Sequence, residues 1–514
     1  MLLASAPSRS APFDLVIRHG RIIDGTGNPA YFADVGVKDG KIAALGKNFD
    51  SGEREIDATN LIVVPGFIDV HTHAEDVREL PLAENFVRMG VTTLVLGNCG
   101  SSVRDVAELW RHLESKGASV NVATLIGHGT IRAAAMGGSF MRPPGGEELS
   151  SMKALVEQAM LEGAVGLSTG LVYLPGTFAK TDEIVELAKV VARYDGIYAS
   201  HMRDEGTKIF DALNELLQIA REAGVRAHIS HIKLSGPSAW GQADKVLAAI
   251  ERARADGLDI SQDQYGYTAS STGISQLVPS EAREGGSEKF LERLNNPAEK
   301  EKVVRQMKDN LKKRRQENYA YAVIANYKRD TSLNGKNVVE AARSARGSDS
   351  LDDQIELILE IHKQGGASGV FHGINEDDLQ KFLRHPNTMI ASDSGVRRFN
   401  EGVPHPRGYG NNARILARYV RELKVLRLED AIRRMTSLPA TAFQLRERGV
   451  LREGSWADIV VFDPTSVQGN ATFSDPHHYA TGIRHVLVNG TPVVKEEIHT
   501  GAKPGKPLRR GDPR

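Results

Sequence analysis

The run Val64-Pro65-Gly66-Phe67-Ile68-Asp69-Val70-His71-Thr72-His73 constrains this chain more than any other stretch. An apolar run after a Pro-Gly turn reads as a buried strand, and this one ends in two histidines one residue apart. Side chains alternate across a strand, so His71 and His73 point the same way and can grip one ion. Taken alone, the pair suits two hydrogen-bonded structural histidines as well as it suits a metal. The metal reading requires further donors converging from elsewhere, because zinc and similar borderline ions take several N, S or O ligands.

Later strand-like runs supply those donors. Apolar runs at 67–73, 92–99, 120–128, 164–168, 197–201, 227–231, 259–264 and 388–393 alternate with helical patterns such as 183–192 and 209–223. Eight such units are what a closed (β/α)8 TIM-type barrel requires, an α/β fold whose active sites lie at the carboxyl ends of the strands. The last residues of these runs include His71, His73, Cys99, His201, His231 and Asp393. Independent structural roles for all six at one pole would be a coincidence, and together they form a metal-ligand set. The plain alternatives are a core-filling thiol for Cys99, the only cysteine, and a helix N-cap for Asp393. His128 ends the third run at the same pole, where a hydrogen-bonded structural role suits it equally.

Both ends of the chain have another character. Short strand-like runs punctuated by glycines and Asp-Gly pairs fill residues 14–64 and recur at 449–463 and 483–490. The expected organisation is therefore a small β-sandwich built from residues 1–64 and 446–514, with the barrel at 65–445 between its halves. The barrel carries an insertion at about 270–385, too long for one βα connection, read as charged, helical cover over the barrel mouth. Its basic run Lys312-Lys313-Arg314-Arg315 reads as a solvated helix face. The Gly/Pro/Arg-rich tail 501–514 is expected to be mobile or draped on the surface.

Composition narrows the function classes. The 65 lysines and arginines equal the 65 aspartates and glutamates, so no global field attracts nucleic acid or an anionic membrane. No apolar run approaches the ~18 residues that span a bilayer. The stretch 1–9 lacks the basic start and long apolar centre of a secretory signal, and a lone cysteine can form no intrachain disulfide. A cytoplasmic protein with a small-molecule substrate is expected; the oligomeric state is left open.

The order His-x-His, histidines on the fifth and sixth strands and aspartate on the eighth, between two β halves, resembles the amidohydrolase superfamily. Within it, Gly97-Asn98-Cys99-Gly100, the run from Gly166 to Gly176, Ser200-His201-Met202-Arg203-Asp204-Glu205, Ser230-His231-Ile232-Lys233 and Ser392-Asp393 followed by His405-Pro406-Arg407 resemble the N-acyl-D-amino-acid deacylases, or D-aminoacylases. Hydantoinases and dihydroorotases bridge two metals with a carboxylated lysine on the fourth strand, whereas this chain has Leu167-Ser168-Thr169-Gly170 there. The resemblance implies a tightly held Zn²⁺ on Cys99, His201 and His231, with His71, His73 and Asp393 lining a weaker or variably occupied site. It also implies that Tyr173, Lys233 and an arginine of the last loop hold the substrate's α-carboxylate or line its pocket, with Tyr265 near it. Arg398 is taken as that arginine, Arg397 being nearly as well placed.

Metal-activated water attacking an amide, with Asp393 accepting its proton and passing it to the leaving nitrogen, makes amide hydrolysis the expected reaction, and the resemblance implies N-acyl-D-amino acids as its substrates. Cyclic-amide hydrolysis and cleavage of D-residue dipeptides are the nearest alternatives. A non-catalytic scaffold of the same fold would be expected to have lost some of the six donors.

Overall fold

The computed structural model describes residues 12–47, 49 and 51–511. The stretch 1–9, read above for a targeting signal, lies outside the described residues, as do the last three residues of the tail.

Eight parallel strands form the centre: Phe67–Asp69, Val91–Leu96, Asn121–Gly127, Gly166–Gly170, Ile197–His201, Arg226–Ile229, Ile260–Gln264 and Thr388–Ile390, each paired with the next in chain order. The ring closes just beyond its first and last strands. Thr72 bridges Ser394 in parallel, the Asp393 N–H donates to the His71 carbonyl at 2.9 Å, and the His73 N–H donates to the Ser394 carbonyl at 2.9 Å. Alternation explains the layering. Ile68, Val95, Ala123, Leu125, Ile197, Ala199, Met389 and Ala391 pack together inside the barrel, while residues such as Phe67, Leu94, Leu96, Leu167 and Tyr198 face the surrounding helices.

The two chain ends meet in one nine-stranded sheet. Its seam is the antiparallel pairing of Ile62–Pro65 with Ile459–Phe462, which places the end of the N-terminal segment directly beneath the first barrel strand. The tail does not simply drape. Pro507 bridges Val122, and the Leu508 and Arg510 N–H groups donate to the Val122 and Gly163 carbonyls, so residues 505–510 run along the strand starts of the barrel.

Between the seventh and eighth strands, the insertion holds more than helices. The strands Ala269–Gly273, Ala322–Asn326 and Ser368–His372 form an antiparallel sheet with the last in the middle, and four helices, Gly286–Asn295, Pro297–Lys313, Val338–Arg346 and Leu351–Lys363, pack with it. Ile274, Phe290, Met307, Leu311, Ile324 and Ile358 give the segment its own apolar core. The basic run at the end of the second helix is exposed, as charge patterning suggested, but Lys313 and Arg314 also stand on the wall of a cavity at the barrel mouth.

Candidate active site

Each expected donor sits at or just past the carboxyl end of a barrel strand, and local backbone conformation turns three of them inward. Cys99, His231 and Asp393 adopt φ of 53°, 38° and 52°, a left-handed conformation that costs a non-glycine residue free energy and persists where the surroundings enforce it. The surroundings do so by hydrogen bonds. Asn98 Nδ2 donates to the Val95 and Val70 carbonyls at 3.0 and 3.2 Å. Ser168 Oγ accepts from the Gly100 N–H at 2.9 Å and donates to the Gly97 carbonyl. The fourth strand therefore clasps the cysteine loop. Gly170 completes the clasp, since a Cβ there would stand 2.1 Å from the Cys99 carbonyl oxygen. The Asp69 carboxylate accepts from the Ser392 N–H at 3.1 Å and the His71 N–H at 3.2 Å, tying the first strand to the eighth beneath the donors.

The six donors converge. Cys99 Sγ lies 3.3 Å from His71 Nε2, 3.5 Å from His231 Nε2 and 3.7 Å from His201 Nδ1. Asp393 Oδ1 lies 3.4 Å from His73 Nε2 and 3.6 Å from His71 Nε2. Three groups, Cys99 with His201 and His231, His71 with His73 and Cys99, and His71 with His231 and Asp393, each bring their ligand atoms within 4.8 Å of one another. This donor set, thiolate with imidazoles and one carboxylate, fits zinc.

Electrostatics supports the same chemistry. Burial pushes the Cys99 thiol up, but His71, His201 and His231 override it and hold the sulfur well below the usual thiol range, as thiolate. Burial likewise opposes ionisation of Asp393, yet Arg407, His231, His73 and His71 hold its carboxyl well below the usual carboxylate range.

A second layer, which the residue pattern did not reveal, orients the imidazoles. Glu205 places Oε1 3.1 Å from His231 Nδ1 and Oε2 3.6 Å from His201 Nε2, so one carboxylate approaches both rings and leaves their other nitrogens turned to Cys99. Asp263 Oδ2 stands 3.4 Å from His71 Nδ1 and 2.7 Å from His228 Nε2. Glu205 lies four residues after His201 in the run Ser200-His201-Met202-Arg203-Asp204-Glu205, the sequence signal that could have found it.

The substrate-binding candidates divide. Tyr173 lines the cavity at the barrel mouth, about 530 Å³ in volume, with its ring 4.9 Å from that of His201. Lys233 lines it too, but its ammonium is already held by Glu205 Oε1 at 2.6 Å and lies 2.8 Å from His231 Nδ1. Tyr265 is fully buried, and its hydroxyl has no hydrogen-bond partner among the described residues. Arg398 is not brought to the site: its side chain is 55% exposed and faces the exposed Glu79 at 3.5 Å. The loop turns outward after Val396, and the guanidinium beside the centre belongs to Arg407, 2% exposed, with Nη1 2.9 Å from Asp393 Oδ2 and its head over the Tyr265 ring at 4.6 Å. Arg397 is held by Ser394 Oγ at 3.0 Å. His128 Nε2 donates to Glu183 Oε1 at 2.8 Å, which also accepts from Arg132 Nε in a buried structural arrangement.

An Arg398→Ala variant is accordingly expected to keep kcat/KM within about twofold, since an exposed ion pair contributes about 0–1 kcal/mol. Arg407→Ala is expected to lose about 10²-fold, the worth of one or two charge-assisted hydrogen bonds. Steady-state kinetics of the two purified variants checks the contrast.

Residues 54–494 match the family described as the amidohydrolase family. The chain is 35% identical to a D-aminoacylase of Alcaligenes xylosoxydans xylosoxydans, covering 98% of this chain and 99% of that protein. It is 34% identical to an N-acyl-D-glutamate deacylase of the same organism over 97% of this chain and 96% of that one. Among solved structures, an N-acyl-D-glutamate deacylase from Bordetella bronchiseptica, complexed with zinc and a phosphonate inhibitor that mimics the tetrahedral intermediate, superposes with a TM-score of 0.84 at 34% identity, covering 98% of this chain and all of that one.

Proposed function

The chain belongs to the amidohydrolase family, and from that premise we propose that it is a zinc-dependent hydrolase cleaving the amide of N-acyl-D-amino acids to a carboxylate and a free D-amino acid. The observation that carries this reading is the thiolate at the centre: Cys99 within 3.7 Å of three imidazoles, on a loop clasped by Ser168. Relatives of nearly equal length named as deacylases of D-amino acids support the substrate class.

Cys99, His201 and His231 are the residues that would hold the tighter zinc, and His71, His73 and Asp393 those that would line a second position. Bound there, zinc supplies a Lewis acid that polarises a carbonyl and lowers the pKa of water. Asp393 provides the proton chemistry. Held ionised by Arg407 and the surrounding histidines, it accepts a proton from the attacking water and delivers it to the departing nitrogen, which would otherwise leave as a poor amide anion. Arg407, whose guanidinium lies over the Tyr265 ring, and the Tyr265 hydroxyl, which has no partner among the described residues, receive the substrate's α-carboxylate, with Tyr173 and Lys233 on the cavity wall. Among the described residues, no helix is long and apolar enough to cross a membrane.

Hydrolysis of paired N-acetyl-D- and N-acetyl-L-amino acids by the zinc-loaded protein tests the proposal. Turnover of D forms alone is expected. Zinc binding without turnover of any linear N-acyl amino acid would overturn it in favour of cyclic amides or D-residue dipeptides.

A further inference from the structure

Another cavity, of about 950 Å³, lies at the pole opposite the six donors, where the barrel strands begin. Val165, Phe443, Leu445 and Leu508 form the apolar part of its wall and pack with the side chains inside the barrel. Tail residues 506–511 line it as well. The hydrolysis uses none of these residues.

The polar part of the wall is one-sided in charge. Arg446, Arg448, Arg452, Lys506, Arg509 and Arg510 line it, against Asp195 and Glu447 alone. The charges of the whole chain balance, so this excess is local. Both wall acids are already engaged by groups outside the excess: Asp195 accepts from Gln444 Nε2 at 2.7 Å and faces Arg226 at 3.2 Å, and Glu447 pairs with Lys41 at 2.8 Å. Two of the cations have acids of their own, Asp458 for Arg448 and Glu114 for Arg509. The other four, Arg446, Arg452, Lys506 and Arg510, have no carboxylate within ion-pair distance among the described residues. Arg510 rests on neutral carbonyls, those of Tyr194 and Met160, each at 3.1 Å, and its buried Nε has no hydrogen-bond partner among the described residues. The Lys506 ammonium lies over the Trp456 ring at 4.0 Å, and Lys41 and Arg448 approach the same ring at 5.1 and 5.3 Å. Desolvation there, and then the charge of Arg448, push that ammonium below the usual lysine range.

Cations gathered in a concave, partly apolar site focus a positive potential, which an anion of several charges relieves. A monocarboxylate would leave most of the excess unmet. An oligophosphate carries several charges along one short chain, and its oxygens suit the forked donors of arginine. We propose that this cavity is a binding site for an oligophosphate, held by Arg452, Lys506 and Arg510, either free or as the tail of a nucleotide. The site shares no residue with the cavity at the barrel mouth or with the zinc donors, so its ligand is not the amide substrate.

Calorimetric titration of the zinc-loaded protein with inorganic triphosphate, and separately with ATP, tests the assignment. Binding at one site per chain is expected, with Kd below about 0.1 mM at low salt and about tenfold weaker or more as the salt rises to about 0.2 M. Equal affinities assign the site to the oligophosphate alone, and tighter binding of ATP assigns it to a nucleotide. Arg452 and Lys506 are exposed, so Arg452→Gln with Lys506→Gln leaves the packed interior intact. That double variant is expected to bind at least about tenfold more weakly, as the loss of two charge-assisted contacts requires. Removing the same charge from the exposed basic run, by Lys312→Gln with Arg315→Gln, is expected to leave affinity within about twofold, the effect of a distant screened charge. Failure of both probes to bind the wild type at about 1 mM, some ten times the expected Kd, overturns the proposal. Binding that survives unchanged in the Arg452/Lys506 variant overturns it too, since the anion would then sit elsewhere, the zinc centre included. Equal weakening in the two double variants marks unspecific attraction to positive charge and overturns it as well.

Discussion

Replacing Cys99 by serine is expected to remove the tightly bound zinc and to lower kcat/KM by on the order of 10³-fold, because a group shared by several ligands contributes to all of them at once. The sulfur approaches His71, His201 and His231 together, at 3.3, 3.7 and 3.5 Å. Serine nearly preserves shape in a site that is 6% exposed, so the fold should survive the exchange. A serine hydroxyl is not ionised at neutral pH, however, whereas the histidines hold the thiol as thiolate. Zinc content after gel filtration, measured beside activity, checks both halves. A Cys99→Ser protein retaining wild-type zinc and wild-type turnover would show that the centre is built on the histidines alone.

Asp393→Asn is expected to behave differently, lowering kcat by about 10²- to 10⁴-fold, the usual contribution of a general acid–base group, while the tighter zinc stays in place. Cys99, His201 and His231 are untouched by that change. The amide of asparagine cannot accept a proton from water or return one to the leaving nitrogen. It also leaves the buried Arg407 without its carboxylate, so some loss in stability should accompany the loss in rate. Separate measurement of kcat, KM and zinc content distinguishes this from the Cys99 result, and equal zinc loss in both variants would argue that Asp393 serves mainly as a ligand.

The contrast between Arg398 and Arg407 shows where residue order stops being informative. Both follow the eighth strand, Arg398 in the loop and Arg407 as the first residue of the next helix, and chemistry alone, a cation for a carboxylate, selects neither. The choice depends on the turn after Val396, which sends Arg398 out to Glu79 and brings Arg407 back beneath Asp393. The same limit applied to Lys233. The resemblance implies a place for it at the substrate's α-carboxylate, but residue order does not show that Glu205, contributed by the fifth strand's loop, already pairs with its ammonium. The insertion was legible as charged and helical. Its three-stranded sheet was not, because strands such as Ala269–Gly273 and Ser368–His372 are short, polar and nearly 100 residues apart, and only their pairing makes them strands.

By itself, the sequence determined the βα alternation, the approximate places of the eight barrel strands and six candidate donors, of which all but His201 lie two to four residues past the observed strand ends. Those features are written in local periodicity and in residue types whose chemistry needs no context. Only the tertiary structure decided the rest: the left-handed turns that aim Cys99, His231 and Asp393 inward, the carboxylates that approach the imidazoles, and the buried Arg407 beside Asp393. Each is a relation between segments distant in the chain. Distances of 3 Å between such segments are set by the closure of the barrel and the packing of the insertion against it, which no local pattern encodes.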